Sequence, residues 1–178
     1  MQSLDYAIIK FINDLVSREI WLQLIVSPLG EWLIFAMVLL VLVLVWRLYR
    51  RKETVMAKKL AELLAASLLL PYLVNLVISS LWFRPRPFIL PDVVLFISQP
   101  LSPKSFPSDH SAWAFALALS VFLVDKKTGS LMFVLAALVA LGRMLAGVHY
   151  LADVLIGALV GCLAVIVFVR FGPVFRSK

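Results

Sequence analysis

Long apolar runs recur along this chain with almost nothing polar between them, and that recurrence limits the fold more than any other feature. Trp32 to Trp46 and Val154 to Val169 carry no charge and approach the roughly 20 residues needed to cross about 30 Å of hydrocarbon. One such run could be a buried helix of a soluble protein, but their repetition leaves too little polar surface to hold a domain in water. The composition agrees: 63% of the 178 residues are hydrophobic, 15% are charged, and the mean hydropathy is +1.02. The fold class expected is all-α, a polytopic membrane helical bundle of about five to six transmembrane helices, forming a single domain over 1–178.

Punctuation along the chain sets the expected spans. Residues 4 to 27 mix charges with Ile, Leu and Trp at helical spacing, so 1–30 reads as interfacial or partly inserted helices, broken by Pro28 and Gly30. Asp5, Lys10, Asp14, Arg18 and Glu19 interrupt any signal-peptide core. Spans are then expected over Glu31 to Tyr49, Lys58 to Phe83 (with Glu62 paired to Lys58), Ser108 to Val124, Ser130 to Ala146 and Tyr150 to Arg170. The proline-rich stretch Arg84 to Asp109 is the longest polar connection, and Cys162, alone inside an apolar run, reads as packing.

The net charge of +7 belongs to topology rather than to nucleic acid, because the basic residues sit in short loops. Arg47, Arg50, Arg51, Lys52, Lys58 and Lys59, then Lys126 and Lys127, then Arg170, Arg176 and Lys178 all fall on one side if five spans alternate. The positive-inside rule makes that side cytoplasmic. The other side receives the 84–109 loop and the turn near Gly147. Trp82, Phe83 and Tyr150 suit an outer aromatic belt, and Trp46 and Tyr49 an inner one.

The chain has two histidines, His110 and His149, and both fall at the outer ends of spans with Arg86, Arg143 and Asp153. Charged groups at membrane depth are costly and usually functional. His149 and Asp153 are i,i+4 and are expected to share a helix face, where the carboxylate would fix one ring nitrogen and leave the other as nucleophile or base. Phe106-Pro107-Ser108-Asp109-His110 reads as a helix start, with Ser108 as cap and Asp109 at the positive end. Free N–H groups there and the forks of Arg86 and Arg143 suit phosphate oxygens. Two arginines would repel a metal cation and welcome an anion, so phosphoryl transfer is the reaction class these residues favour.

These residues resemble the type 2 phosphatidic acid phosphatase family, which shares its catalytic core with vanadium haloperoxidases. The family pattern Lys-x6-Arg-Pro, Pro-Ser-Gly-His, Ser-Arg-x5-His-x3-Asp appears here as Arg86-Pro87, Pro107-Ser108-Asp109-His110, and Gly142-Arg143, His149, Asp153. The resemblance implies that His149 attacks phosphorus and forms a phosphohistidine, oriented by Asp153. It implies that His110 protonates the leaving oxygen and then activates water, while Arg86, Arg143, Ser108 and the backbone at Asp109 hold the phosphoryl oxygens. It implies no metal and no organic cofactor. Three positions depart from the pattern: Ser79 stands where the family has lysine, Asp109 replaces glycine, and Gly142 replaces serine. Arg84 and Lys104 are weaker candidates to supply the lost cation.

The wording of these motifs is similar to the bacterial undecaprenyl-diphosphatase branch. That similarity implies a lipid diphosphate substrate among membrane lipids, in the bacterial cytoplasmic membrane, with the site on the extracytoplasmic side. Phosphatidylglycerophosphate, phosphatidate or lipid A are the alternative substrates. A non-catalytic lipid-phosphate binder or transporter is the alternative of another class.

Overall fold

The computed structural model describes residues 2–98 and 102–172; Arg176 and Lys178, used above for topology, lie outside them. Among the described residues the chain forms α1 (Gln2–Arg18), α2 (Ile20–Ser27), α3 (Leu33–Arg50), α4 (Thr54–Leu81), α5 (Asp109–Phe122), α6 (Lys126–Leu145) and α7 (Leu151–Phe171). No strand is present among them, so the all-α bundle is what folds. Four helical stretches are long and apolar enough to cross a membrane: Ile20–Arg50, Thr54–Leu81, Lys126–Leu145 and Leu151–Phe171. Their outward faces carry Leu39, Leu73, Leu155 and Val167 exposed, as expected where the solvent is lipid.

The shorter α5 is the centre of the bundle. It packs against α3, α4, α6 and α7, and Ala114, Leu117, Ala118 and Val121 are buried in the largest core cluster with Met37, Leu60 and Met132. Against α7 it approaches unusually closely. A Cβ added at Gly161 would lie 2.1 Å from the Ala112 carbonyl oxygen, and one at Gly157 would lie 2.5 Å from that of Ser108. Small residues four apart permit such contact, and in a membrane it is packing of this kind that holds helices together.

The turns at one end of the bundle gather the basic residues. Arg47 and Arg51 of α3 and its turn share a cavity of about 250 Å³ with Val124 and Asp125 of the α5–α6 connection and Thr128 in the first turn of α6. Val124 also packs with Phe168 and Val169 near the end of α7, so the two basic loops and Arg170 lie at the same end. Lys58 and Glu62 pair at 3.9 Å. The expected span starts at Lys58 and Ser130 move earlier, to Thr54 and Lys126. The latter is fixed by Asp125, whose side chain accepts from the Lys127 N–H at 3.0 Å.

Two expectations fail. Pro28 and Gly30 do not break the chain. Residues Pro28–Trp32 form a π-helical turn closed by the Leu33 N–H on the Pro28 carbonyl, and one continuous helical stretch runs from Ile20 to Arg50. Tyr150 does not join an aromatic belt but is buried, unlike Trp82, Phe83, Trp46 and Tyr49, which are exposed.

Helix α1 lies over the opposite end, against α6 and α7. Its inward face repeats Asp5, Ile9, Asn13 and Val16, while Leu4, Phe11 and Leu15 are exposed. Asn13 exchanges two hydrogen bonds with the backbone of Val94, each 2.8 Å, so α1 straps the 82–98 segment down.

The glycine contact makes a direct test. Gly161→Leu is expected to force α5 and α7 apart, costing at least the roughly 1–3 kcal/mol typical of overpacking. It should lower both the melting temperature and the monodisperse yield in detergent. Leu159→Ala, on the lipid-facing side of α7, should leave both close to wild type.

Candidate active site

The segment carrying His149 is a turn rather than a helix. Gly147 adopts φ +75°, a conformation that favours glycine, and a Cβ there would also lie 2.6 Å from the Val94 carbonyl oxygen. Val148 is a bend, Tyr150 is extended, and α7 begins only at Leu151. His149 and Asp153 therefore do not share a helix face as the i,i+4 spacing suggested. The Asp153 carboxylate reaches back as a cap, accepting the Tyr150 N–H at 2.9 Å on Oδ2. His149 Nδ1 lies 3.6 Å from the same oxygen, beyond a full hydrogen bond, and has no other hydrogen-bond partner among the described residues.

The other ring nitrogen meets an arginine. Arg86 Nη1 lies 3.1 Å from His149 Nε2 and donates to the Val148 carbonyl at 3.1 Å, while Nε donates to the Ser102 carbonyl at 2.8 Å. An arginine can only donate. Nε2 must then present its lone pair, which puts the ring proton on Nδ1, toward Asp153. Burial works against the charge of Arg86, and the Asp109 and Asp153 carboxylates favour it.

Arg143 comes from the end of α6. It is buried, Nη1 donates to the Gly30 carbonyl at 3.0 Å, and Nε has no partner among the described residues. The π-helical turn meets α6 backbone to backbone, because a Cβ at Gly142 would lie 2.5 Å from the Gly30 nitrogen. Glycine at 142, where the resembling family has serine, therefore permits the contact that anchors Arg143.

The helix start behaves as read. Ser108 precedes α5 and accepts from the Ser111 N–H at 3.4 Å and the Ser111 hydroxyl at 3.2 Å, and its own N–H donates to the Asp153 carbonyl at 3.1 Å. Asp109 accepts a hydrogen bond from Asn75 Nδ2 of α4 at 2.7 Å. The His110 ring packs on Trp113, which stacks on Tyr72.

These side chains meet on one cavity of about 590 Å³. Its wall includes Arg86, Asp109, His110, Arg143 and His149, with Glu31, Phe35, Tyr72 and Trp113. Asp153 is fully buried behind His149, and Ser108 is buried beneath the start of α5. The weaker candidates stand elsewhere. Arg84 directs Nη1 to Asp153 Oδ1 at 2.8 Å and Nη2 to Asp5 Oδ2 at 2.9 Å, with its guanidinium 3.9 Å above the Tyr150 ring. Both ends of its fork are committed to carboxylates, so the geometry does not make it the missing phosphate ligand. Lys104 is half-buried beside Pro85, and Ser79 donates to the Leu76 carbonyl of its own helix at 3.1 Å. Neither forms part of the cavity wall.

Sequence reasoning missed Asp5, Glu31 and Asn75. Glu31 projects from the π-helical turn and accepts from the Ser27 hydroxyl at 2.8 Å. Asn75 is buried in α4, a polar residue among apolar neighbours, and that isolation was the one available signal.

The bundle and its histidine- and arginine-lined cavity are those of an integral membrane phosphatase. The chain belongs to the PAP2 superfamily, whose family model matches residues 60–176. It is 30% identical over 175 residues to the undecaprenyl-diphosphatase BcrC of Bacillus subtilis, covering 97% of this chain and 86% of that protein. It is 35% identical over 157 residues to the bacitracin transport permease protein BcrC of Bacillus licheniformis, covering 87% of this chain and 74% of the other. Among solved structures, the crystal structure of Aquifex aeolicus LpxE superposes with a TM-score of 0.70 at 27% identity, covering 93% of this chain and 94% of that one.

Burial lowers the His149 imidazole from the ordinary 6.5 to about 4, with Arg143 and Arg86 acting in the same sense and Asp153 opposing them. The unfolded chain then takes up a proton near pH 6.5 that the folded chain refuses until about pH 4. Stability from this group is complete above 6.5 and is lost as the pH falls toward 4, by up to about 1.4 kcal/mol per pH unit. Melting temperatures measured across this window should fall more steeply for the wild type than for His149→Asn.

Proposed function

We propose that the protein hydrolyses a lipid-linked diphosphate, specifically undecaprenyl diphosphate to undecaprenyl phosphate, through a phosphohistidine on His149. The observation that carries this reading is the convergence of His110, His149, Arg86 and Arg143 on one cavity within an apolar bundle. The named BcrC diphosphatase relative supports the choice of substrate.

His149 Nε2 attacks the terminal phosphorus as the bond to the bridging oxygen breaks, and Arg86 shifts from Nε2 to a phosphoryl oxygen. His110 donates a proton to the departing oxygen of the lipid monophosphate. Water then attacks the phosphohistidine, His110 takes up its proton, the P–N bond breaks, and inorganic phosphate leaves. Asp153 stabilises the Nδ1 proton as the ring gains positive charge. Arg143 Nε, the Ser108 region and the backbone N–H groups opening α5 hold the developing negative charge. Two guanidinium groups supply that charge stabilisation, so the reaction proceeds without a metal.

The site faces the extracytoplasmic side of a bacterial cytoplasmic membrane in this reading. The support is the clustering of basic residues at the opposite end of the bundle, which the positive-inside rule assigns to the cytoplasm. Phe35, Tyr72 and Trp113 line the same cavity as His110 and offer it apolar surface suited to the first isoprene units.

Purified protein should release phosphate from undecaprenyl diphosphate in the presence of EDTA. His149→Ala should retain less than about one-thousandth of that turnover, and His110→Ala should lose about 10²- to 10⁴-fold. A preference above tenfold for phosphatidylglycerophosphate, phosphatidate or lipid A would overturn the substrate assignment. Full turnover by His149→Ala would overturn the mechanism.

A further inference from the structure

The Arg84 fork and the N-terminal helix together form a device the reaction scheme does not use. Arg84 bridges Asp5 of α1 and Asp153 of α7, 79 and 69 positions away, at 2.9 and 2.8 Å. Asp5 itself is buried, and its second oxygen accepts the Ala152 N–H at 3.3 Å. Each oxygen of Asp153 has its own donor: Oδ1 takes Arg84 and Oδ2 takes the Tyr150 N–H. These two bonds fix the plane of the carboxylate and leave Oδ2 as the oxygen that faces His149 Nδ1.

We infer that Arg84 and Asp5 are positioning residues for the His149–Asp153 pair, so that α1 is an integral part of the active site. Asp5 neutralises the second half of the Arg84 fork, whose guanidinium carbon lies 3.9 Å from the Tyr150 ring centroid. With that side fixed, the other half can reach only Asp153 Oδ1. Without the fork, the fully buried carboxylate would keep only the Tyr150 N–H, and it could turn or approach the imidazole more closely. Lysine could neutralise Asp153 but could not span both carboxylates with a planar fork. The inference rests on the reading of His149 as nucleophile.

The titratable and charged groups around His149 are Arg86 from the loop, Glu31 from the π-helical turn, Asp109 and His110 from α5, Arg143 from α6 and Asp153 from α7, with Arg84 one carboxylate away. Removing the Arg84 cation leaves Asp153 less compensated and strengthens its hold on the imidazole proton, so the acid limb of the pH–rate profile should move upward.

The experiment compares Arg84→Gln, Arg84→Lys and Asp5→Asn with wild type for kcat, KM, the pH profile of kcat and melting temperature. The substrate is undecaprenyl diphosphate in detergent micelles. Arg84→Gln should lower kcat by about 10- to 100-fold, as a misplaced reacting group does. Its KM should stay within about twofold, and its acid limb should shift to higher pH. Arg84→Lys should recover part of the kcat, and Asp5→Asn should show the same pattern to a smaller degree. A large rise in KM with unchanged kcat would make Arg84 a phosphate ligand and overturn the inference. So would a lowered melting temperature with wild-type kcat and pH profile per folded molecule. Acid-labile phosphoenzyme, trapped by rapid quench in wild type and absent from His149→Ala, is measured in parallel. If His149→Ala turns over, the nucleophile assignment has failed. If it is inactive while Arg84→Gln and Asp5→Asn behave as wild type, the positioning role alone has failed.

Discussion

The seam between α5 and α7 is the contact on which the rest of this molecule depends. Lipid offers no hydrophobic drive to bring two apolar helices together, so close packing and polar contacts must do it. Gly157 and Gly161 let the backbone of α7 rest on the Ser108 and Ala112 carbonyls. At the top of the same seam the Ser108 N–H bonds the Asp153 carbonyl. The cap of one helix is thereby joined to the first turn of the other, with His110 two residues along α5 and His149 just before α7. Two histidines 39 positions apart reach one cavity because this seam has no room for a side chain.

Around that seam the arrangement follows from the cost of charge in a poorly solvated place. Asp153 is matched by Arg84, and Arg84 by Asp5. Asp109 is held by the neutral donor Asn75, and Arg143 is anchored by the neutral acceptor Gly30. Arg86 is held by the carbonyls of Ser102 and Val148. Neutral anchors fix the two cavity arginines without cancelling their charge. The paired ions lie behind His149, and the guanidinium groups with neutral anchors lie beside it. In the proposed reading that asymmetry, with Asp109 and Glu31 as the carboxylates on the wall, is what makes the cavity a receptor for an anion.

Much of this was legible in the sequence for identifiable reasons. The spans are written in uncharged runs, and the cap at Ser108 is a local signal. His110, His149, Arg86 and Arg143 stand out because charge is scarce in such a chain. The failures are those of local reasoning. The spacing of His149 and Asp153 implied a shared helix face, but α7 begins only at Leu151, two residues past His149 and after the turn at Gly147, whose φ is positive. Arg84, two residues before Arg86 in the same motif, looked like a second phosphate ligand. Its partner Asp5 is 79 positions away, in a helix whose charges read as interfacial. A long-range ion pair leaves no trace in spacing, and α1 buries Asp5 and Asn13 beside Ile9 and Val16 while Leu4, Phe11 and Leu15 are exposed, so its pattern does not mark an inward face.

The π-helical turn at Pro28–Trp32 belongs to the same logic. One extra residue rotates everything before it by about 100° relative to a straight α-helix. The stretch from Ile20 to Ser27 can then bury Leu22 and Val26 under the strap formed by α1, while Ile34, Met37 and Val41 enter the main core. A straight helix through the same residues would turn one of these two faces toward lipid. The turn also brings the Gly30 carbonyl to Arg143 and Glu31 to the cavity wall. Proline fits the first position of this turn with helical dihedrals (φ −51°, ψ −46°). The segment that looked like a chain break thus sets the register in which a membrane span can also hold Arg143.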